Sequence, residues 1–103
     1  MAVISAKTRS EKVPRRVSIL GSTGSIGRNT IDLIDRHSGA FVVEALTANR
    51  NVALLAEQAL SLRPGIAVVA DPDCYRELKD ALSGSGIETA AGAAAVVEAA
   101  GRP

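Results

Sequence analysis

The chain has 103 residues, 47% of them hydrophobic but only 2% aromatic, with 12 basic and 11 acidic side chains and a formal net charge of +1. That length suits one domain burying roughly two thirds of the surface its unfolded form exposes, and the scarcity of aromatics calls for a core of Ala, Val, Ile and Leu, the mixture found between helices and a parallel sheet. Near-neutral charge argues against nucleic-acid or membrane partners held by electrostatics, and a single cysteine, Cys74, excludes an intramolecular disulfide.

Residues 1–15 carry Lys7, Arg9, Lys12 and Arg15, and their apolar stretch Ala2-Val3-Ile4 is too short for a signal peptide or a membrane span. A disordered basic tail is expected there, with the folded domain over 16–103. Val17-Ser18-Ile19-Leu20 reads as a short buried strand running directly into glycine. From Ile26 the apolar residues Ile26, Ile31, Leu33 and Ile34 fall at helical offsets, and His37-Ser38-Gly39 supplies a stop in which Gly39 is free to take positive φ. Phe41-Val42-Val43-Glu44-Ala45-Leu46 predicts a second strand. Asn51 then caps a helix whose Val52, Leu55, Ala56 and Ala59 recur at i, i+3, i+4 and i+7.

Arg63-Pro64-Gly65 breaks that helix, Ile66-Ala67-Val68-Val69-Ala70 predicts a third strand, and Asp71-Pro72 offers an N-cap followed by proline at the first helical position. Tyr75, Leu78 and Leu82 mark the face of a third helix, with Cys74 expected as a half-buried filler. Ser83-Gly84-Ser85-Gly86 connects to a weak strand at 87–89 and an Ala-rich helix from Gly92 to about Ala100. Strands that alternate with helices need right-handed crossovers, which gives an α/β fold with a parallel sheet and helices on both faces.

The informative segment is Gly21-Ser22-Thr23-Gly24-Ser25-Ile26-Gly27, placed where the first strand hands over to the first helix. Glycines at such a junction allow a tight turn, close approach of the backbone to a pyrophosphate, and close packing of helix on sheet. The unpaired amides of the helix N-terminus then face the phosphates. The spacing is G-x-x-G-x-x-G, and an isolated match of this kind is weak; the flanking strand and helix and the repeated β-α units make the segment a dinucleotide-binding turn in a Rossmann-like fold. Without a G-K-[ST] ending it lacks the lysine of an ATP-hydrolysing phosphate loop.

In NAD-dependent members of such folds a carboxylate ends the second strand and accepts the ribose hydroxyls. Here the strand runs out through Thr47-Ala48-Asn49-Arg50-Asn51, and Glu44 stands several residues short of its end. A guanidinium and two amides suit a 2′-phosphate, so NADPH is expected over NADH, with Asn51 also able to cap the following helix. His37 is read as a partner of a helix C-terminus, Asp32 and Asp35 as solvent-facing, and Arg28 as a surface residue with a weaker case for touching a phosphate.

The stretch Ile19-Leu20-Gly21-Ser22-Thr23-Gly24-Ser25-Ile26-Gly27, with Asn29-Thr30-Ile31-Asp32 after it and Val43-Glu44-Ala45-Leu46-Thr47-Ala48-Asn49-Arg50-Asn51-Val52 further on, resembles the opening of the 1-deoxy-D-xylulose 5-phosphate reductoisomerases. The resemblance runs from about Arg16 to the end of the chain and is loose after Ser83. It implies an NADPH site at Gly21, Thr23, Gly24, Ser25, Ile26 and Gly27 in the first loop and Asn49, Arg50 and Asn51 in the second. Many members have glycine and lysine where this chain has Asn49 and Arg50. It also implies a sheet cut after about four β-α units, and a cytoplasmic, homodimeric complete enzyme. That enzyme would isomerise and reduce 1-deoxy-D-xylulose 5-phosphate to 2-C-methyl-D-erythritol 4-phosphate, in the methylerythritol phosphate route to isoprenoids, with Mn2+ or Mg2+ as a Lewis acid. The family's Asn-Lys-Glu-Ser segment, metal ligands and substrate-phosphate site do not occur in these 103 residues, so no catalytic or metal residue carries over. Two alternatives stand beside this reading: the cofactor domain of a semialdehyde-type or acyl-phosphate reductase, which would need a downstream cysteine, and a non-catalytic NADP(H)-binding module.

Overall fold

The computed structural model describes residues 15–101. Strand β1 (Arg15–Ile19) leads through the glycine turn to helix α1 (Ser25–Arg36); β2 (Phe41–Ala48) and α2 (Val52–Leu62) follow, then β3 (Ile66–Val69), α3 (Tyr75–Ala81), β4 (Glu88–Ala91) and α4 (Ala93–Ala100). The four strands form one parallel sheet in the order β1-β2-β3-β4. The tail expected at 1–15 lies outside the described residues except for Arg15, which opens β1.

Because every crossover steps in the same direction along the sheet, right-handed connections put α1, α2 and α3 on one face. The core confirms it. Ile34 of α1, Leu55 and Ala59 of α2 and Leu78 of α3 pack with Ile19, Val43, Leu46, Ala67 and Val69 of the strands. The opposite face carries a smaller cluster, in which Ala99 of α4 meets Ala45, Ile66 and Val68. The alternation Ile66 and Val68 to one side, Ala67 and Val69 to the other, is the two-residue period of a strand buried on both faces. All buried hydrophobic residues are Ala, Val, Ile or Leu, as the composition requires. A register shift between Val17 and Ser18 leaves Glu44 as the extra residue of β2, and its carboxylate lies 3.5 Å from Arg16.

The expected elements are present with shifted bounds: β2 runs to Ala48 rather than Leu46, and β4 is Glu88–Ala91 rather than 87–89. Helix α1 ends at His37 (φ −123°, ψ 48°) and runs into a 3-10 turn at Ser38–Ala40; the positive φ expected at Gly39 does not occur, because Ala40 N–H donates to the His37 carbonyl and keeps the chain turning right-handed. His37 Nδ1 lies 2.9 Å from the Leu33 carbonyl, a helix-end contact. The left-handed residue that ends α2 is Arg63 (φ 53°), not the nearby glycine, and its guanidinium donates to the Ser85 carbonyl at 3.0 Å. Finally, Asp71 and Pro72 open a 3-10 turn (Pro72–Cys74) rather than α3 itself, with Asp71 accepting from Asp73 N–H at 2.9 Å. Cys74 is half-buried.

Candidate functional site

The glycine turn sits at the carboxyl end of β1, and its three glycines have different reasons to be glycine. Gly21 has φ +69°, where a side chain is strained. Gly27 is buried under the turn, and a Cβ there would lie 2.2 Å from the Gly21 carbonyl oxygen and 2.7 Å from Ser22 Cα, so helix and turn touch backbone to backbone. Gly24 is unlike both. It has an ordinary extended conformation (φ −76°, ψ 173°), and a Cβ would meet its nearest atom at 3.6 Å, ordinary contact. Nothing among the described residues demands glycine at 24, and its bare Cα leaves room there for close approach from outside.

Gly24 is also the N-cap of α1, which has no side-chain cap bond and no acidic residue in its first turn. Helix N-termini usually satisfy these amides with Ser, Thr, Asp or Asn. Left uncapped, they retain their capacity for an anion. Ser25 and Ile26 beside them are exposed, Ile26 to 82%, an unusual position for a large apolar residue unless it meets a ligand or another surface.

Beneath the turn lies the polar interior of the molecule. Ser22 N–H donates to the Thr47 carbonyl at 2.8 Å, Gly21 N–H to Thr47 Oγ1 at 3.1 Å, Ser22 Oγ to Gln58 Oε1 at 2.7 Å, and Gln58 Nε2 to the Ser22 carbonyl at 2.8 Å. Ser22, Thr47 and Gln58 are the buried polar residues among those described. The turn is thereby tied to the end of β2 and to α2, both of which adjoin the second loop.

In that loop Asn49, Arg50 and Asn51 are all exposed. Asn51 Oδ1 accepts from Leu54 N–H at 3.1 Å and caps α2. Arg50 Nε lies 3.1 Å from Asp71 Oδ2. The expectation that no carboxylate serves this loop therefore needs correction: none comes from β2, but the loop after β3 brings one in, because β2 and β3 stay paired past their ends, with Asp71 N–H donating to the Asn49 carbonyl at 3.1 Å. Arg50 keeps 73% of its side chain exposed, whereas Asp71 keeps only 23%. Arg28 is exposed, and its Nε donates to the Thr23 carbonyl at 3.1 Å, bracing the glycine turn from its outer side. Asp32 is exposed and paired with Arg36 at 2.8 Å. An open cleft of about 350 Å³ between α1 and α2 includes Asp32, Asp35 and Glu57 in its walls. Three carboxylates make it a poor seat for a dinucleotide's phosphates.

The model of the family described as 1-deoxy-D-xylulose 5-phosphate reductoisomerase matches residues 17–103. The chain belongs to this family. A reductoisomerase from Rhodospirillum centenum is 60% identical over 89 residues, covering 86% of this chain and 22% of its own length. Among solved structures, the 1-deoxy-D-xylulose 5-phosphate reductoisomerase from Zymomonas mobilis in complex with NADPH superposes with a TM-score of 0.82 at 56% identity, covering 84% of this chain and 23% of that one. A reductoisomerase in complex with NADPH, fosmidomycin and magnesium gives 0.76 at 28% identity over 82% of this chain and 21% of that one. The chain thus spans less than a quarter of the length of these reductoisomerases.

The fold brings the two loops expected from sequence to one edge of the sheet, at the carboxyl ends of β1 and β2, where open α/β sheets of this kind hold their ligands. Four residues were missed: Ser22, Thr47, Gln58 and Asp71. Gln58 left a readable signal, since it stands three residues after Leu55 on the face of α2 that the apolar pattern turns inward. Asp71 left none, because its partner is 21 residues away and only the pairing of β2 with β3 brings them together.

Proposed function

We propose that this chain is the NADPH-binding portion of an enzyme that converts 1-deoxy-D-xylulose 5-phosphate to 2-C-methyl-D-erythritol 4-phosphate, an NADPH-dependent oxidoreductase of isoprenoid precursor biosynthesis. One observation carries the reading: an uncapped helix N-terminus behind a glycine with room for a side chain, set beside an exposed arginine at the end of the next strand. Membership of the reductoisomerase family supports it, and so does the Zymomonas relative's complex with NADPH. NADPH, when bound, supplies the hydride. The chain's own residues bind and orient: the first-turn amides of α1 take the pyrophosphate, Gly24 admits it, and Arg50 with Asn49 takes the 2′-phosphate.

The complete enzyme is proposed to use Mn2+ or Mg2+, to act on a phosphorylated sugar, and to work as a cytoplasmic homodimer. Among the described residues no group of three or more His, Cys, Asp or Glu is placed to hold a metal ion. The division of labour gives an expected result. Assayed with Mn2+ or Mg2+, a reductoisomerase of full family length carrying these residues as its N-terminal portion should oxidise NADPH in dependence on 1-deoxy-D-xylulose 5-phosphate, while the 103-residue chain alone stays at background. Turnover by the short chain, or none by the full-length one, would contradict the assignment.

A further inference from the structure

We propose that Gln58 is a positioning residue for the cofactor: a buried amide that holds the glycine turn from below and ties the two nucleotide loops into one unit. The inference rests on the dinucleotide reading of the turn and adds to it a residue that touches no nucleotide.

Gln58 is 6% exposed and Ser22 0%. A buried primary amide is costly unless its donors and acceptor are met, and an apolar residue at this position would pack between Leu55 and Ala59 with no such requirement. Instead the amide is spent on one residue, accepting from Ser22 Oγ at 2.7 Å and donating to the Ser22 carbonyl at 2.8 Å. The pairing also fixes which way the amide faces: with its oxygen and nitrogen exchanged, the oxygen would point at the Ser22 carbonyl. Ser22 follows Gly21, whose left-handed φ makes the reversal, so the clamp grips the turn at its bend.

The same two residues are held from the other side by Thr47, through its carbonyl and its hydroxyl. Thr47 lies two residues before Asn49, and Gln58 lies on the helix that Asn51 caps. A displacement of the glycine turn therefore has to disturb the end of β2 and the body of α2. Gln58 and Thr47 keep the first-turn amides of α1 at a set position relative to Arg50, and the pyrophosphate and the 2′-phosphate of one dinucleotide must meet both.

The test uses Gln58→Met, which keeps the length and helix preference of the side chain but removes both hydrogen bonds, and Ser22→Ala, which removes one. Hydrogen exchange in the nucleotide-free chain reads the turn directly, because the amides of Gly21 and Ser22 donate to Thr47 and that of Gly24 donates to the Gly21 carbonyl. Exchange at these amides should rise at least several-fold in Gln58→Met, less in Ser22→Ala, with the amides of α3 unchanged. NADPH should bind roughly five- to fiftyfold more weakly to Gln58→Met and NADH should also weaken, by no more than that factor, since the clamp sets the pyrophosphate site that the two share while its placement relative to Arg50 matters to the 2′-phosphate alone. Exchange unchanged at the turn, or raised equally throughout the chain, would overturn the clamp and leave Gln58 an ordinary core residue. A loss confined to NADPH would overturn the positioning role by placing the effect at the 2′-phosphate. If exchange rises as expected but the unsubstituted chain binds neither nucleotide, the dinucleotide reading of the turn fails and the positioning role with it, while the hydrogen-bonded clamp itself is established.

Discussion

Arg50→Ala is expected to weaken NADPH binding roughly ten- to a hundredfold and to leave NADH binding unchanged, as charge-assisted hydrogen bonds contribute about 1.5–3 kcal/mol each. The structure sharpens this expectation. Asp71 holds Arg50 at Nε, 3.1 Å from Oδ2, while the arginine side chain stays mostly exposed. One edge of the guanidinium fork is anchored and the rest projects from the loop, an arrangement that orients a planar donor toward an incoming phosphate. Removing the arginine also leaves the Asp71 carboxylate unneutralised beside the proposed 2′-phosphate site, which moves the expected loss toward the upper end of the range. Titration of both nucleotides at fixed ionic strength checks it. Equal loss for NADPH and NADH would show that Arg50 supports the loop rather than the phosphate.

Gly27→Ala is expected to destabilise the fold and to weaken NADPH binding together. Its Cβ would lie 2.2 Å from the Gly21 carbonyl oxygen and 2.7 and 2.8 Å from Ser22 Cα and C. All three are backbone atoms, so no side-chain rotation relieves the contact. Either α1 moves off the turn or the turn opens, and both break the arrangement that presents the helix amides. Overpacking of this kind costs about 1–3 kcal/mol, which for a domain of this size lowers the melting temperature by about 4–8 °C per kcal/mol. NADPH affinity should fall with it. A melting temperature and an affinity both unchanged would mean that helix and turn are not in the close contact described.

Much of the fold was legible because it is written in local periodicity. Ile66, Ala67, Val68 and Val69, a short β-branched run between Pro64-Gly65 and Asp71-Pro72, read as a strand buried on both faces, and the offsets of Val52, Leu55, Ala56 and Ala59 read as one face of a helix. Asn51 and Asp71 were readable as caps because capping is a contact of two or three residues' span. The limits appear where a residue's partner is distant. Gly39 was a reasonable stop signal by composition, but the 3-10 turn after His37, in which Ala40 N–H donates to the His37 carbonyl, ends the helix without a left-handed residue. At the end of α2 the left-handed residue is Arg63, whose guanidinium donates to the carbonyl of Ser85, 22 residues away. The site follows the same division. The glycine spacing and the polar second loop were visible in the chain, whereas the Ser22–Gln58 clamp and the Arg50–Asp71 pair exist only once the sheet has aligned β1, β2 and β3.

The account turns on whether the two loops together make an NADPH site, and titrating the 103-residue chain with NADPH and NADH by nucleotide fluorescence or calorimetry tests this most directly. Saturable binding of one NADPH per chain is predicted, tighter than NADH by at least about tenfold, with the preference shrinking as salt screens the contact between Arg50 and the 2′-phosphate. Equal affinity for the two nucleotides would remove the second loop from the site, and no saturation by either would contradict the central claim.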